Sequence, residues 1–128
     1  MNPQKAKILL VEDDSVIIDM YRLKFRLDKL NLLVSPSAAE TIKMTEENKP
    51  DLILLDLQLE DDINGFDILH QLKARPETQG IPVYILSNKR EQDNREKGTK
   101  LGAVDFLAKT EIKPKDLIKI VREKLESI

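Results

Sequence analysis

Asp51-Leu-Ile-Leu-Leu-Asp56 is a run of four apolar residues closed by a carboxylate at each end. Four apolar residues in a row, without polar alternation, describe a strand covered on both faces, as the strands of a parallel sheet are. Similar runs recur on either side of it, so the strand candidates are 8–11, 30–34, 52–55, 83–86 and 104–107. The segments between them carry a helical period. In 14–28, Val16, Met20, Leu23 and Leu27 form one apolar stripe. Ser37-Ala-Ala-Glu40 has the spacing of a capping box and opens a helix reaching to about residue 48. The segment 65–74 buries Phe66, Leu69 and Leu72 and is stopped by Pro76, which biases Arg75 away from helix. The segment 91–101 is polar almost throughout and contains Gly98. Pro114 suits a first helical turn, and Leu117, Ile118, Val121 and Leu125 repeat along one face to the end of the chain.

Five such βα units are too few to close an eight-stranded barrel, so the expected architecture is α/β, an open doubly wound parallel sheet with helices on both faces. A length of 128 residues fits a single domain, 1–128. Hydrophobic residues make up 41% and charged residues 34%, enough for a core, and the absence of cysteine excludes disulfides and thiolate-bound metal. A formal net charge of -2 leaves no basic excess for a nucleic-acid backbone or an anionic membrane surface. No apolar run approaches the ~20 residues needed to span a bilayer, and no leader is evident. A cytoplasmic protein is expected.

Open parallel sheets bind ligands beyond the carboxyl ends of their strands. At those positions stand Glu12, Asp13 and Asp14 after the first strand, Asp56 after the third, Ser87 after the fourth and Lys109 after the fifth. Four crowded carboxylates repel unless a cation sits among them. With oxygen ligands, one His and no Cys, the most compatible ion is Mg²⁺. A lysine ammonium and a hydroxyl aimed at the same pocket match the needs of a transferring phosphoryl group, and a carboxylate there can be the nucleophile. Each position alone also has an ordinary structural use: Asp13 or Asp14 could cap the first helix, and a lone lysine after a strand is usually solvated.

The segments KILLVEDD, DLILLDLQL, IPVYILSN and GAVDFLAKT resemble the motifs of response-regulator receiver domains over nearly the whole chain. The resemblance implies a flavodoxin-like (βα)5 fold with strand order 2-1-3-4-5. It makes Asp56 the phosphate acceptor, Asp13 a direct Mg²⁺ ligand with Glu12 acting mainly through water, and the Gln58 backbone carbonyl a further ligand. Ser87 and Lys109 would hold the phosphoryl group, with Ser87 and Phe106 forming the switch. The phosphoryl donor would be a histidine kinase or a histidine phosphotransfer protein, or more slowly a small phosphodonor. A downstream protein would read the face built from the fourth helix, fifth strand and fifth helix. Such a domain is a signalling switch that promotes its own aspartyl phosphorylation and dephosphorylation, rather than an enzyme.

Three departures from the family pattern stand out. Thr110 replaces the proline that commonly follows the lysine, and the Lys109–Thr110 bond is expected to be trans. Glu60 stands where proline is frequent, in a loop one residue longer before Gly65, and its Glu60, Asp61 and Asp62 read as a solvated turn. Asn88 follows Ser87 where the family has a small residue, and Lys89 lies where the family tunes dephosphorylation. Two other readings have sequence features of their own. A non-phosphorylated pseudo-receiver acting as an interaction module would usually lack one of the acidic ligands, the acceptor or the lysine. A phosphatase of the haloacid dehalogenase type would want a second Asp where Gln58 stands. His70, mid-helix, reads as a surface residue, and Lys113, Lys115, Lys119 and Lys124 as the solvated face of the last helix.

Overall fold

The structure is a computed structural model and describes residues 1–57, 65–87 and 92–128, the side chains of residues 92 and 93 excepted. After a 3-10 turn at Pro3–Lys5 the order is β1 (Lys7–Val11), α1 (Ser15–Leu27), β2 (Asn31–Ser35), α2 (Ala38–Asn48), β3 (Leu52–Asp56), α3 (Gly65–Ala74), β4 (Val83–Ser87), α4 (Gln92–Lys100), β5 (Asp105–Ala108) and α5 (Pro114–Glu126). All strand pairs are parallel, in the order β2-β1-β3-β4-β5. This is the doubly wound arrangement expected. The strand bounds move by a residue because the ladder extends to polar neighbours such as Asp56 and Ser87.

Side-chain alternation divides the core into two. Ile8, Leu10, Leu52, Leu54 and Leu86 face Tyr21 and Phe25 of α1 and Leu117, Val121 and Leu125 of α5. Leu9, Val11, Ile53, Leu55 and Ile85 face Leu69 and Leu72 of α3 and Ala38 of α2. Every residue of β3 is buried, since it is the middle strand and has a helical layer on each side. The polar α4 joins the second layer through Gly98, where an added Cβ would lie 2.6 Å from Ile85 Cδ1. That close approach lets a helix with almost no apolar face still lie flat on the sheet.

The apolar stripe Val16, Met20, Leu23 and Leu27 is not the face of α1 that the core takes, whereas Tyr21 and Phe25, which also read as packing residues, are buried. Ile18, Tyr21 and Phe25 are buried, whereas Val16, Leu23 and Leu27 are 76%, 46% and 69% exposed and Met20 is half-buried. Both sets have helical spacing, and the set carrying two aromatic rings, which meet edge-on with centroids 6.2 Å apart, takes the core. Ser37 does cap α2 by position, but its side chain makes no capping hydrogen bond, so the reciprocal box is absent. The Ser37 carbonyl instead accepts from Ser35 Oγ at 3.0 Å and Thr41 Oγ1 at 2.8 Å, tying the strand end to the first turn of the helix. α5 buries Leu117, Ile118, Val121 and Leu125 as expected. Lys113, Lys115 and Lys119 are exposed, but Lys124 is half-buried.

The β5 edge is closed by side chains. The Phe106 N–H donates to Asp105 Oδ1 at 2.7 Å, and the Phe106 carbonyl accepts from Arg95 Nη2 at 3.0 Å. Arg95 and Asp105 face each other at 3.9 Å.

Gly65 opens α3 against the end of β3. A Cβ there would lie 2.7 Å from the Asp56 carbonyl oxygen and 2.8 Å from Leu57 Cα, both backbone atoms that cannot rotate away. Gly65→Ala is expected to destabilise the protein by about 1–3 kcal/mol. Gly80→Ala, with nothing within 4 Å of the new methyl, should change little. Chemical denaturation of the two variants checks this, and equal stabilities would refute it.

Candidate functional site

Alternation that fills the core also delivers the site. Ile8 and Leu10, Leu52 and Leu54, and Leu107 all belong to the layer under α1 and α5. The next residues of the same parity are Glu12, Asp56 and Lys109, so they emerge together at the carboxyl end of the sheet. Register brings them level, with Val11 opposite Leu55 and Asp56 opposite Leu86.

Glu12 and Asp56 are 1% and 3% exposed. One ligand oxygen each from Glu12, Asp13 and Asp56 lies within 4.8 Å of the others, a group able to hold a metal ion. Lys109 Nζ enters the same space, 3.1 Å from Asp56 Oδ2 and 3.2 and 3.1 Å from the two carboxylate oxygens of Glu12. Asp14 is not in the cluster. Its carboxylate caps α1, accepting from the Val16 N–H at 2.9 Å and the Ile17 N–H at 3.4 Å. The helix cap thus falls to Asp14 and leaves Asp13 to the cluster.

Ser87 is buried at the end of β4, one residue beyond the partner of Asp56, and its carbonyl accepts the Lys109 N–H at 2.7 Å. That bond fixes the lysine backbone to the serine strand. Phe106 is buried in the layer under α2 and α3, beside its register partner Ile85. The peptide bonds of the described residues are all trans, Lys109–Thr110 among them. His70 is exposed on α3. The Gln58 carbonyl, Glu60, Asp61, Asp62, Asn88 and Lys89 lie outside the described residues. The sequence motifs do not mark Gly65 as part of the site, yet its lack of a side chain lets α3 start against the Asp56 backbone. The signal available was a glycine opening a helix shortly after a strand.

Burial raises Glu12, and the hydrogen bond and charge of Asp56 raise it further, to about 8 from an ordinary 4.5, against the opposing pull of Lys109. Burial alone would lower the Lys109 ammonium, but Asp56 and Glu12 outweigh it and hold the group above its usual value. The shift inclines Glu12 to hold its proton near neutral pH, with the Lys109 ammonium beside it. A raised carboxyl contributes stability that is complete below pH 4.5 and is lost as pH rises through about 8. A divalent cation needs the carboxylate and must expel that proton. Binding of Mg²⁺ at pH 7 is expected to release close to one proton from wild type and none from Glu12→Gln. Calorimetry in buffers of different ionisation enthalpy measures the difference, and no proton release from wild type would refute it.

The family model for the response regulator receiver domain matches residues 8–122. The DNA-binding response regulator MtrA of Mycobacterium tuberculosis is 31% identical over 125 residues, which cover 98% of this chain and 53% of MtrA. The chain therefore spans about half the length of that relative. Among solved structures, a response regulator from Chloroflexus aurantiacus superposes with a TM-score of 0.85 at 26% identity, over 94% of this chain and 98% of that one. The BeF3-activated N-terminal receiver domain of Klebsiella pneumoniae RstA gives a TM-score of 0.83 at 27% identity, over 93% and 97%. Among the described residues no helix is long and apolar enough to cross a membrane. Its five-stranded parallel sheet, its buried acidic cluster and a family match over most of its length place this chain in the response-regulator receiver domain family.

Proposed function

We propose that residues 1–128 form a single receiver domain that accepts a phosphoryl group on Asp56 from a histidine kinase or a histidine phosphotransfer protein. The observation that carries this reading is the placement of Asp56, 3% exposed, with Oδ2 held 3.1 Å from the Lys109 ammonium inside the Glu12, Asp13 and Asp56 cluster. An Asp56 carboxylate oxygen attacks the phosphorus of a phosphohistidine. The new O–P bond forms as the P–N bond breaks, and the imidazole leaves with the electron pair of that bond. Lys109, 3.1 Å from Asp56 Oδ2, stands beside the oxygens that gain negative charge in the transition state. Ser87 supplies a hydroxyl donor from the neighbouring strand.

Mg²⁺, the ion best matched to this all-oxygen set, would be held by Asp13 and Asp56, by Glu12 through water and by the Gln58 carbonyl, and would offset phosphoryl charge. After transfer, contacts from Ser87 and Lys109 to the new charge would bias the packing of Phe106 and of the α4-β5-α5 face that a downstream protein reads. The domain acts as a switch in the cytoplasm, promoting its own aspartyl phosphorylation and dephosphorylation. All the groups a pseudo-receiver usually loses are present.

Intact mass after incubation with acetyl phosphate and Mg²⁺ is expected to show a gain of one phosphoryl group in wild type and none in Asp56→Asn. Absence of any gain in wild type, together with failure to bind beryllofluoride, would refute the phosphoacceptor reading and leave the interaction module. Lys109→Ala should still take up phosphate but lose the conformational response, read as unchanged amide-exchange protection in α4 and β5. A full response in that variant would remove Lys109 from the switch.

A further inference from the structure

The amino ends of β3, β4 and β5, at the opposite end of the sheet from Asp56, frame a groove of about 440 Å³. Pro50, Ile81, Pro82 and Val104 give it apolar walls, and Lys73 and Lys124 line it as well. A volume of this size suits a small ligand that is mostly hydrocarbon and is oriented by a few polar groups. Lys124 is half-buried there, although Lys115 and Lys119 on the same helix are exposed.

Lys73 is seated by its surroundings. Its stem lies over Gly102, where an added Cβ would be 3.2 Å from Lys73 Cγ and where a φ of +105° suits glycine. Its Nζ donates to the Gln79 carbonyl at 3.0 Å and to the Ile81 carbonyl at 2.7 Å. An ammonium has three N–H donors, so one remains for a ligand. Among the described residues neither Lys73 nor Lys124 forms an ion pair, and burial holds Lys73 below its usual range with no carboxylate to offset it. Acceptors on the rim of the groove are engaged elsewhere: Asp51 Oδ2 accepts the Lys7 N–H at 2.8 Å, and the Ile128 carbonyl accepts from the Met1 ammonium at 2.9 Å. A half-buried charge without a counter-charge is costly, and a ligand anion supplies what the chain does not.

We propose that this groove binds a small monocarboxylate with a hydrocarbon body, its carboxylate at Lys73 and Lys124 and its chain against Ile81, Pro82 and Val104. The carboxylate accepts the remaining Lys73 N–H, and the charge of the two lysines selects it over a neutral molecule of the same shape. The site is separate from the phosphoryl pocket, so it fills whether or not Asp56 can be phosphorylated. Octanoate has about ten non-hydrogen atoms, and at the efficiency of ordinary ligands its dissociation constant belongs in the range of about 0.1–10 mM.

Titration of octanoate into the whole protein, followed by amide NMR shifts, provides the test. The largest shifts are expected at Gly80, Ile81 and Val104. Octanamide, which keeps the chain without the charge, and acetate, which keeps the charge without the chain, should each bind ~10-fold or more weakly. Lys73→Met and Lys124→Met, which keep an unbranched stem, should each weaken octanoate by ~3-fold or more, and Asp56→Asn should bind it as wild type does. Lys124→Met leaves the Lys73 contacts in place, so it still reports if Lys73→Met loosens the loop before β4. No shift at those three residues up to about 20 mM octanoate overturns the inference. So does octanamide binding as tightly as octanoate, which would make the groove merely apolar, an affinity unchanged in both lysine variants, or loss of binding in Asp56→Asn.

Discussion

A parallel sheet covered on both faces leaves charge nowhere to go but the ends of its strands. In this chain the three inner strands, β1, β3 and β4, are buried over residues 8–11, 52–55 and 83–86, and their helices leave no room for a carboxylate within the layers. The period-two alternation that assigns Leu10 and Leu54 to the α1 and α5 side also assigns Glu12 and Asp56 to it, one step past the last apolar residue. Lys109 arrives there by the same parity from β5. The site is thus a by-product of the core register. A one-residue slip of β3 would send Asp56 to the opposite face and leave the lysine without its partner.

Once assembled, the cluster is held by opposing terms. Burial penalises every charge in it, and the Lys109 ammonium offsets part of that penalty for both Glu12 and Asp56. Among the described residues the cluster brings together the carboxyl groups of Glu12, Asp13 and Asp56, and burial together with the nearby Asp56 raises Glu12 towards holding a proton. The same three carboxyl groups could hold a small hard cation.

Most of this was legible in the sequence because it rests on short-range rules. Continuous apolar runs gave the strands, and residues directly after them gave Glu12, Asp13, Asp56, Ser87 and Lys109. What was not legible was any choice between two patterns that local rules score alike. The two stripes of α1 have the same period, and only packing against β1 and α5 shows that Tyr21 and Phe25 outrank Leu23 and Leu27. Asp13 and Asp14 are both fit to cap a helix, and the cap geometry of Asp14 resolves them. Ser37 has the right spacing for a capping box, but its side chain makes no capping hydrogen bond, and its carbonyl alone is tied in, by the hydroxyls of Ser35 and Thr41. Gly65 matters through backbone atoms nearby in space, and no pattern of side chains announces such a contact.

The side chains that close the β5 edge have a consequence for the whole sheet. An outer strand normally presents free amide and carbonyl groups, a template on which a foreign strand can build. At Phe106 both groups are already occupied, one by its own neighbour and one by a guanidinium reaching over from α4. An incoming strand would have to evict Arg95 and Asp105 before it could pair. The contact also makes α4 a latch on that border: as long as the helix keeps its place, growth of the sheet by another chain is blocked at Phe106, and a helix that slides away would uncover it.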